Sequence, residues 1–432
     1  MVAVMVRFPV PGRAKTRLVP ALGEEGAARL HHDLAAHCVS RLRPLMVAGE
    51  WTVEVDLDSG SIRDARRWLG TWPRYAMQPD GDLGVRLGAA LNRALRKGAG
   101  CAFVVGSDCP DARPIHVRRA LALLNESDVV IGPAEDGGYW LLGVRASAAE
   151  RALPALFERI GWGGEHVLER TLECARAAGV TVALADTLAD IDRPEDLPRW
   201  HAARDTEGSY PASVSVVVPA LNEAERIGTA VDSSLQGGAR EVIVVDGGST
   251  DDTPGIAVRA GAHVVVTPAG RARQMNAGAA VATGDVLVFL HADTVLPPDF
   301  AALVCRALAR GGSSGGAFSW GTDDGPLPAF FNAVGRARMA VFRVPYGDQA
   351  LFLKRRVFED MGGYPEQPIM EDWELAQRLR CLGRMRILPQ RVLTSSRRWA
   401  EAGTVRASIA YLAIIAGYRL GIDPWVLERW RA

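Results

Sequence analysis

The feature that most constrains this chain is a repeating alternation. Short apolar runs rich in β-branched residues are separated by stretches whose apolar positions recur at helical spacing. In the first half, Val2–Val6, Trp51–Leu57, Ala102–Gly106 and Asp128–Gly132 have the length and composition of strands. Residues 24–43, Leu83–Arg96 and Ile115–Leu124 carry the helical period. Strands that alternate with helices pair mostly in parallel, because each helix carries the chain back to the end of the sheet where the previous strand began. The pattern stops at 201–213, HAARDTEGSYPAS, a polar stretch with Gly208 and Pro211 that reads as a linker. It then restarts. Val214–Val218, Glu241–Asp246, His263–Thr267 and Val286–His291 read as strands, with a helix from about Glu223. Two α/β domains with mostly parallel sheets are expected, 1–205 and 213–432, the second ending in a helical segment.

Composition narrows the function classes. A length of 432 residues suits two or three domains at roughly 100–200 residues each. Basic and acidic residues number 50 each, whereas a nucleic-acid binder usually carries a basic excess, so no nucleic-acid partner is expected. None of the six cysteines forms a C-x-x-C pair, which argues against a zinc ribbon and for buried thiols in a reducing cytosol. The opening MVAVMVRFPVPG lacks the basic and long apolar regions of a secretory leader. No uncharged apolar run reaches the roughly 18 residues of a membrane span. The nearest, Ser408–Tyr418, reads as a core or interfacial helix. A cytoplasmic protein is expected, with peripheral contact at the inner face of the membrane left open.

In a parallel sheet, ligands bind at the carboxyl ends of the strands. Three runs in the second half end in acid-bearing loops. The first leads into Pro219-Ala-Leu-Asn222-Glu223, the second into Asp246-Gly-Gly-Ser-Thr-Asp251-Asp252-Thr253, the third into His291-Ala-Asp293-Thr294. Such carboxylates accept hydrogen bonds from a ribose or a base, or hold a hard divalent cation. Each motif alone is equally well a turn or a helix cap. Three at successive strand ends favour a nucleotide site.

These motifs carry a resemblance. With GRARQMNAGAAVATGDVLVFLHADT (270–294), GDQALFLKR (347–355) and MEDWELAQRLR (370–380), the second half resembles a family 2 glycosyltransferase of the GT-A fold over about 213–400. It is especially similar to a bacterial subgroup linked to arsenosugar biosynthesis clusters, and more distantly to carotenoid-acid glucosyltransferases. The resemblance implies transfer of a sugar, with inversion, from a nucleotide diphosphate to a small-molecule or lipid acceptor. It places Pro219, Asn222 and Glu223 along the donor, Asp246 at the base, and Arg271 as a residue that steadies the donor. Asp293 would bind a divalent cation, Mg²⁺ or Mn²⁺, on the diphosphate. Asp372, in the Glu371–Asp372 pair, would be the general base. His291 stands where the family's first D-x-D acid usually sits, so either a ligand or a structural histidine is open there. Arg398–Trp399 resembles the end of a Q-x-x-R-W motif with Ser395 in place of Gln. Arg398 would bind diphosphate oxygens, and Trp399 would stack on a sugar or pack in the core. Lys354-Arg355-Arg356, Arg397-Arg398 and the 405–420 helix read as solvated surface or as contacts to an anionic membrane.

The first half carries a loop of a different kind. Pro9-Val-Pro-Gly-Arg13-Ala-Lys15-Thr-Arg17 follows the first strand, and Lys15 is one of only three lysines in the chain. Three cations beside exposed backbone N–H groups suit a diphosphate or triphosphate. The spacing is not that of a P-loop. Strand-end acids recur at Gly106-Ser-Asp108-Cys-Pro and in Asp190-Ile-Asp192-Arg-Pro, and Asp136-Gly137-Gly138 permits close backbone approach to a ligand. With QPDGDLGVRLGAAL (78–91), these stretches resemble a second family, of the DUF2064 type, with a nucleotide-diphospho-sugar transferase fold. Its layout is similar to that of nucleotidyltransferases. The resemblance implies phosphate binding by Arg13, Lys15 and Arg17, metal binding by Asp108 and Asp192, and substrate contacts from Gln78, Asp82, Asp136, Gly137 and Gly138. The expectation is a bifunctional, metal-dependent transferase with two tandem GT-A, Rossmann-like domains. The alternatives are a chain that is primarily a nucleotidyltransferase, or one half serving as a non-catalytic nucleotide-binding module.

Overall fold

In a computed structural model the chain forms two compact units, Met1–Gly208 and Ser209–Ala432. The structure describes all residues except 48, 158–159, 165, 209–212, 323–344, 346, 396–403 and 431–432.

The first unit is built on seven strands: β1 (Val2–Val6), β2 (Val53–Leu57), β3 (Arg74–Met77), β4 (Cys101–Gly106), β5 (Val129–Pro133), β6 (Tyr139–Arg145) and β7 (Val182–Leu184). Their order is β3-β2-β1-β4-β6-β5-β7. All neighbours run parallel except β6, which is antiparallel to both β4 and β5. Successive side chains in a strand point to opposite faces, so each apolar strand serves two cores. Val2, Val4 and Val6 pack with Val53, Val55, Val39 and Val117 on one side. Ala3 joins Leu87, Leu91, Ile131 and Leu142 on the other. The helix Leu83–Arg96 supplies Leu87 and Leu91 and begins on the cap expected of its sequence, with the Asp82 side chain accepting the Val85 N–H.

The second unit has eight strands: β8 (Val214–Ala220), β9 (Glu241–Asp246), β10 (His263–Val266), β11 (Val286–Phe289), β12 (Thr294–Val295), β13 (Ser313–Thr322), β14 (Leu351–Lys354) and β15 (Arg384–Thr394). The order is β10-β9-β8-β11-β14-β13-β15-β12. The first four are parallel, and β14 is antiparallel to β11 and β13. Val216, Val218, Val244 and Val288 face Ile227, Phe300 and Val304, while Val217, Ile243 and Phe289 face Met275, Leu375 and Leu379. The helix Arg271–Val281 lies hard against the sheet at Gly278, where a Cβ would come 2.4 Å from Val217 Cγ1.

Both sheets therefore share one plan: third, second, first, fourth, then an antiparallel strand. The strand order reverses between β1 and β4, and between β8 and β11. That is where an α/β sheet opens a crevice at its carboxyl edge.

Candidate functional site

In the second unit, the loops leaving β8 and β9 are bonded to each other. Asn222 has left-handed backbone geometry (φ 55°), and its Oδ1 accepts the Thr250 N–H at 2.8 Å. Its own N–H donates to Ser249 Oγ at 2.9 Å. The Glu223 N–H donates to Thr253 Oγ1 at 2.8 Å, and Ala224 N–H to Asp251 Oδ2 at 3.2 Å. Asp246 ends β9, buried, and its Oδ2 accepts the N–H groups of Gly248 and Ser249, each at 3.0 Å. Pro219 lies within β8, one residue before its end. Gln274 draws the strand ends together, its Nε2 donating to Ala220 O at 2.9 Å and to Val245 O at 2.8 Å. Sequence reasoning did not single out this buried amide, although it stands in the quoted 270–294 motif. So the Asp-Ser-Asp-Thr set builds the crevice wall at least as much as it offers groups to a ligand.

The strand β11 delivers His291 and Asp293 beside that wall. Thr294 Oγ1 donates to Asp293 Oδ1 at 3.4 Å, and the Asp293 carbonyl accepts the Ser395 N–H at 3.2 Å. Glu371 and Asp372 open the helix Glu371–Leu382, whose N-terminal end favours negative charge. Both are buried. Arg271, first residue of its own helix, reaches Glu371 Oε1 at 3.2 Å. Asp372 Oδ2 accepts the Gly347 N–H at 2.9 Å, while its Oδ1 is buried with no hydrogen-bond partner among the described residues. Burial and the charge of Asp372 push Glu371 up to about 8. Burial also opposes ionisation of Asp372, but Arg271, the Glu371 hydrogen bond and His291 outweigh it and hold Asp372 below the usual carboxylate range. Burial and mutual repulsion split the pair, raising Glu371 and leaving Asp372 the more acidic of the two. Burial and the Arg271 charge lower His291, against the pull of Asp372 and Asp293.

In the first unit, a cleft of about 550 Å³ opens at the carboxyl edge. Lys15, Arg17, Gln78, Asp108, Asp136, Gly138 and Asp192 line it, whereas Arg13, Asp82 and Gly137 do not. Gln78 Nε2 donates to Asp56 O at 2.7 Å, and Asp82 caps its helix, so both have structural duties. Asp136 Oδ1 accepts the Gly138 N–H at 2.9 Å inside the β5–β6 turn. Lys15, only 8% exposed and left-handed at φ 48°, points its ammonium inward. Its Nζ lies 3.1 Å from Asp108 Oδ1 and 3.6 Å from Asp192 Oδ1. Arg17 Nη1 takes the other Asp192 oxygen. The expected metal position between Asp108 and Asp192 thus holds a lysine ammonium. Two partly exposed carboxylates are met there by two cations of the chain itself. Burial pulls Lys15 down, yet Asp108 and Asp192 raise it above its ordinary value. Burial and Asp136 push Asp190 up to about 6. Asp190 of the strand-end motif also lines this cleft, as do Arg7, His31 and Asp58, which were not singled out from the sequence.

Residues 42–164 match the family described as an uncharacterized protein conserved in bacteria (DUF2064), and residues 215–327 match glycosyl transferase family 2. The chain joins a DUF2064 domain to a family 2 glycosyltransferase domain. Among relatives of this two-domain chain, glucosyl-3-phosphoglycerate synthase of Mycolicibacterium paratuberculosis is 36% identical over 119 residues, covering 24% of this chain and 36% of that protein. The chain spans somewhat over a third of the length of the curated relatives it matches. A solved protein from Desulfovibrio desulfuricans G20, provisionally described as a nucleotide-diphospho-sugar transferase, is 31% identical. It matches 44% of this chain and 81% of its own, with a TM-score of 0.41. Glucosyl-3-phosphoglycerate synthase of Mycobacterium tuberculosis, solved with Mn²⁺ and uridine-diphosphate-glucose, is 27% identical. It matches 49% of this chain and 80% of its own, with a TM-score of 0.37. Another solved form of it holds Mg²⁺ and uridine-diphosphate.

Arg397, Arg398 and Trp399 of the second domain lie outside the described residues. Of the Lys354–Arg356 cluster, Arg355 is engaged within the glycosyltransferase domain, with Nε donating to Gly284 O at 2.9 Å and Nη1 to Glu359 Oε1 at 3.0 Å. Among the described residues, no helix is long and apolar enough to cross a membrane, and no three His, Cys, Asp or Glu side chains converge as a metal cage.

Proposed function

We propose that the second unit transfers a glycosyl group from a nucleotide diphosphate to an acceptor hydroxyl, with inversion at the anomeric carbon. The observation that carries this reading is the Glu371–Asp372 pair: one carboxylate tied to Arg271, the other near His291 with a buried oxygen that has no partner among the described residues. Asp372 takes the acceptor proton as the acceptor oxygen attacks. The diphosphate departs on the opposite side. Glu223 and Asp246 lie along the nucleoside, with Pro219 and Asn222 shaping the same wall, and Arg271 steadies both the donor and Glu371. Arg398 and Trp399 complete the donor site from outside the described residues.

The residues fit a divalent cation brought in with the donor. Such an ion commonly takes one or two protein carboxylates plus substrate phosphates and water, so it needs no preformed three-residue cage. Asp293 would hold it, and the ion would neutralise charge developing on the departing diphosphate. A glucosyl donor and a phosphorylated three-carbon acid are the first pair to assay, because they belong to the named activity of the 36%-identical relative. A lipid acceptor at the membrane surface is the alternative. Turnover of Asp372→Asn and Asp293→Asn variants tests the reading. Full activity of the first would end the assignment of the base.

The first unit, in this proposal, binds a phosphate-bearing substrate through Lys15 and Arg17, with Asp136 and Gly138 lining the same cleft. It serves as a second transferase of the same pathway, glycosyl or nucleotidyl. Release of pyrophosphate from a nucleoside triphosphate distinguishes the two. The ion-paired Lys15 favours the further reading of a non-catalytic binding module, which predicts that Asp108→Asn leaves all turnover unchanged. Because Lys15 stands between Asp108 and Asp192, no step through a metal is derived for this unit.

A further inference from the structure

The turn Gly347–Gln349 has no part in the reaction as proposed, yet it lies against the residue assigned as base. It feeds β14, which runs antiparallel to β11 with Leu351 opposite Phe289. The chain entering β14 therefore passes over the exit of β11, where His291 and Asp293 stand. A Cβ built on Gly347 would sit 2.4 Å from Asp372 Oδ2, 2.9 Å from its Cγ and 3.1 Å from His291 Nε2. The Gly347 backbone is outside the left-handed region, so the position calls for glycine through space and not through conformation.

The backbone on both sides of this contact is held. Gln349, 2% exposed, donates from Nε2 to Phe318 O at 3.0 Å and anchors the turn to β13. Thr394 Oγ1 donates to Asp348 O at 3.5 Å from β15, and Ala350 turns the chain in left-handed geometry with φ 48°. Opposite, Asp372 lies in the first turn of its helix. The residue before that helix, Met370, is buried and left-handed at φ 66°. Met370 and Trp373 are packed with Ile369, Ile414, Ile415 and Leu427. Two fixed bodies thus meet with room for a hydrogen atom and no more. The N–H that fills the gap engages one oxygen of Asp372 and leaves the other without a partner among the described residues.

We propose that Gly347 is a positioning residue for sugar transfer: its N–H and its missing side chain set the Asp372 carboxylate so that Oδ1 is the proton-accepting oxygen. The inference rests on the reading of Asp372 as base. In that step the acceptor O–H proton passes to Oδ1, the acceptor oxygen bonds to the anomeric carbon, and the bond to the diphosphate oxygen breaks with its electron pair.

The test uses the full chain and the Gly347→Ala variant. With UDP-glucose as donor, kcat is expected to fall at least about 100-fold, as general-base loss does. Binding of UDP with Mn²⁺, read by calorimetry, is expected to change less than about twofold. Unchanged kcat overturns the proposal, and so does a loss of UDP affinity as large as the loss of kcat. If Gly347→Ala lowers the thermal midpoint, the cycle with Asp372→Ala decides the origin, since contacting residues are non-additive. The loss is expected to vanish in the Asp372→Ala background. Its persistence there overturns the clash. Asp372→Asn separates the two ideas: activity in that variant removes the base assignment itself, whereas an inactive Asp372→Asn beside a fully active Gly347→Ala removes only the positioning role.

Discussion

The two units lay their strands in the same order and use the carboxyl edge in opposite ways. Where β1 and β4 diverge, the acids Asp108 and Asp192 are met by Lys15 and Arg17 from the chain itself. Where β8 and β11 diverge, Asp293 stands without a comparable internal ammonium among the described ion pairs, and the Glu371–Asp372 pair shares one arginine. The first edge is electrically closed and the second is left short of positive charge. A bound divalent cation would supply what is missing there. One scaffold hosts both because the loops, and not the sheet, carry the charges.

The contrast can be broken most sharply at the base. Asp372→Asn is expected to lower sugar transfer by about 10²–10⁴-fold, the range for a lost general base, while nucleotide binding in the first unit is unchanged. Parallel loss of both would show that the two edges are not independent. The next effect is Lys15→Met. Lys15 is buried while Asp108 and Asp192 are partly exposed, so losing the ammonium should lower the unfolding transition of the first unit and leave that of the second in place. In an Asp293→Asn background, the same substitution should also create Mn²⁺ binding that the lysine had precluded, read by electron paramagnetic resonance. Equal Mn²⁺ uptake with Lys15 intact would contradict the closed edge.

The two edges should also respond to pH in opposite directions. Glu371 is raised from 4.5 to about 8, so folding favours its protonated form. Its contribution is fully present below pH 4.5 and is lost as pH rises toward 8. Asp108 is held below 3.8, chiefly by Lys15 and His31 against the cost of burial. Its contribution is present above pH 3.8 and is lost as pH falls through the lowered value. Thermal scans across pH should show Glu371→Gln flattening the alkaline slope and Asp108→Asn the acid one. The smallest effect is expected at Asp82, where Ala should cost about 1 kcal/mol through the lost helix cap. Nucleotide binding should be untouched, and a selective loss of binding would return Asp82 to the substrate.

The legible part of the fold was the part with a period. Helix Leu83–Arg96 and strand Glu241–Asp246 agree with their sequence bounds, because amphipathic spacing and flanking caps are local properties. Tyr139–Arg145, directly after the Asp136-Gly137-Gly138 motif, was not among the expected strands, yet it forms β6 and inserts antiparallel between β4 and β5. A continuous apolar run does not reveal its direction or its neighbours. The strands β13 and β15 escaped for a related reason: Gly-rich Ser313–Thr322 and charge-rich Arg384–Thr394 are stabilised mainly by pairing with each other across a long stretch of chain.

The site divides along the same line. Residue chemistry at strand ends, namely Asp246, Asp293, Asp108 and the acid pair, follows from the sequence by itself, since each acid adjoins the strand or helix that carries it. Which acids are neutralised was decided only by tertiary structure. Lys15 meets Asp192 across 177 positions, Arg271 meets Glu371 across 100, and the Gly347 N–H meets Asp372 across 25. Charge compensation depends on distances of a few ångströms between segments that no local propensity relates, and those distances exist only once the sheets have brought the loops together.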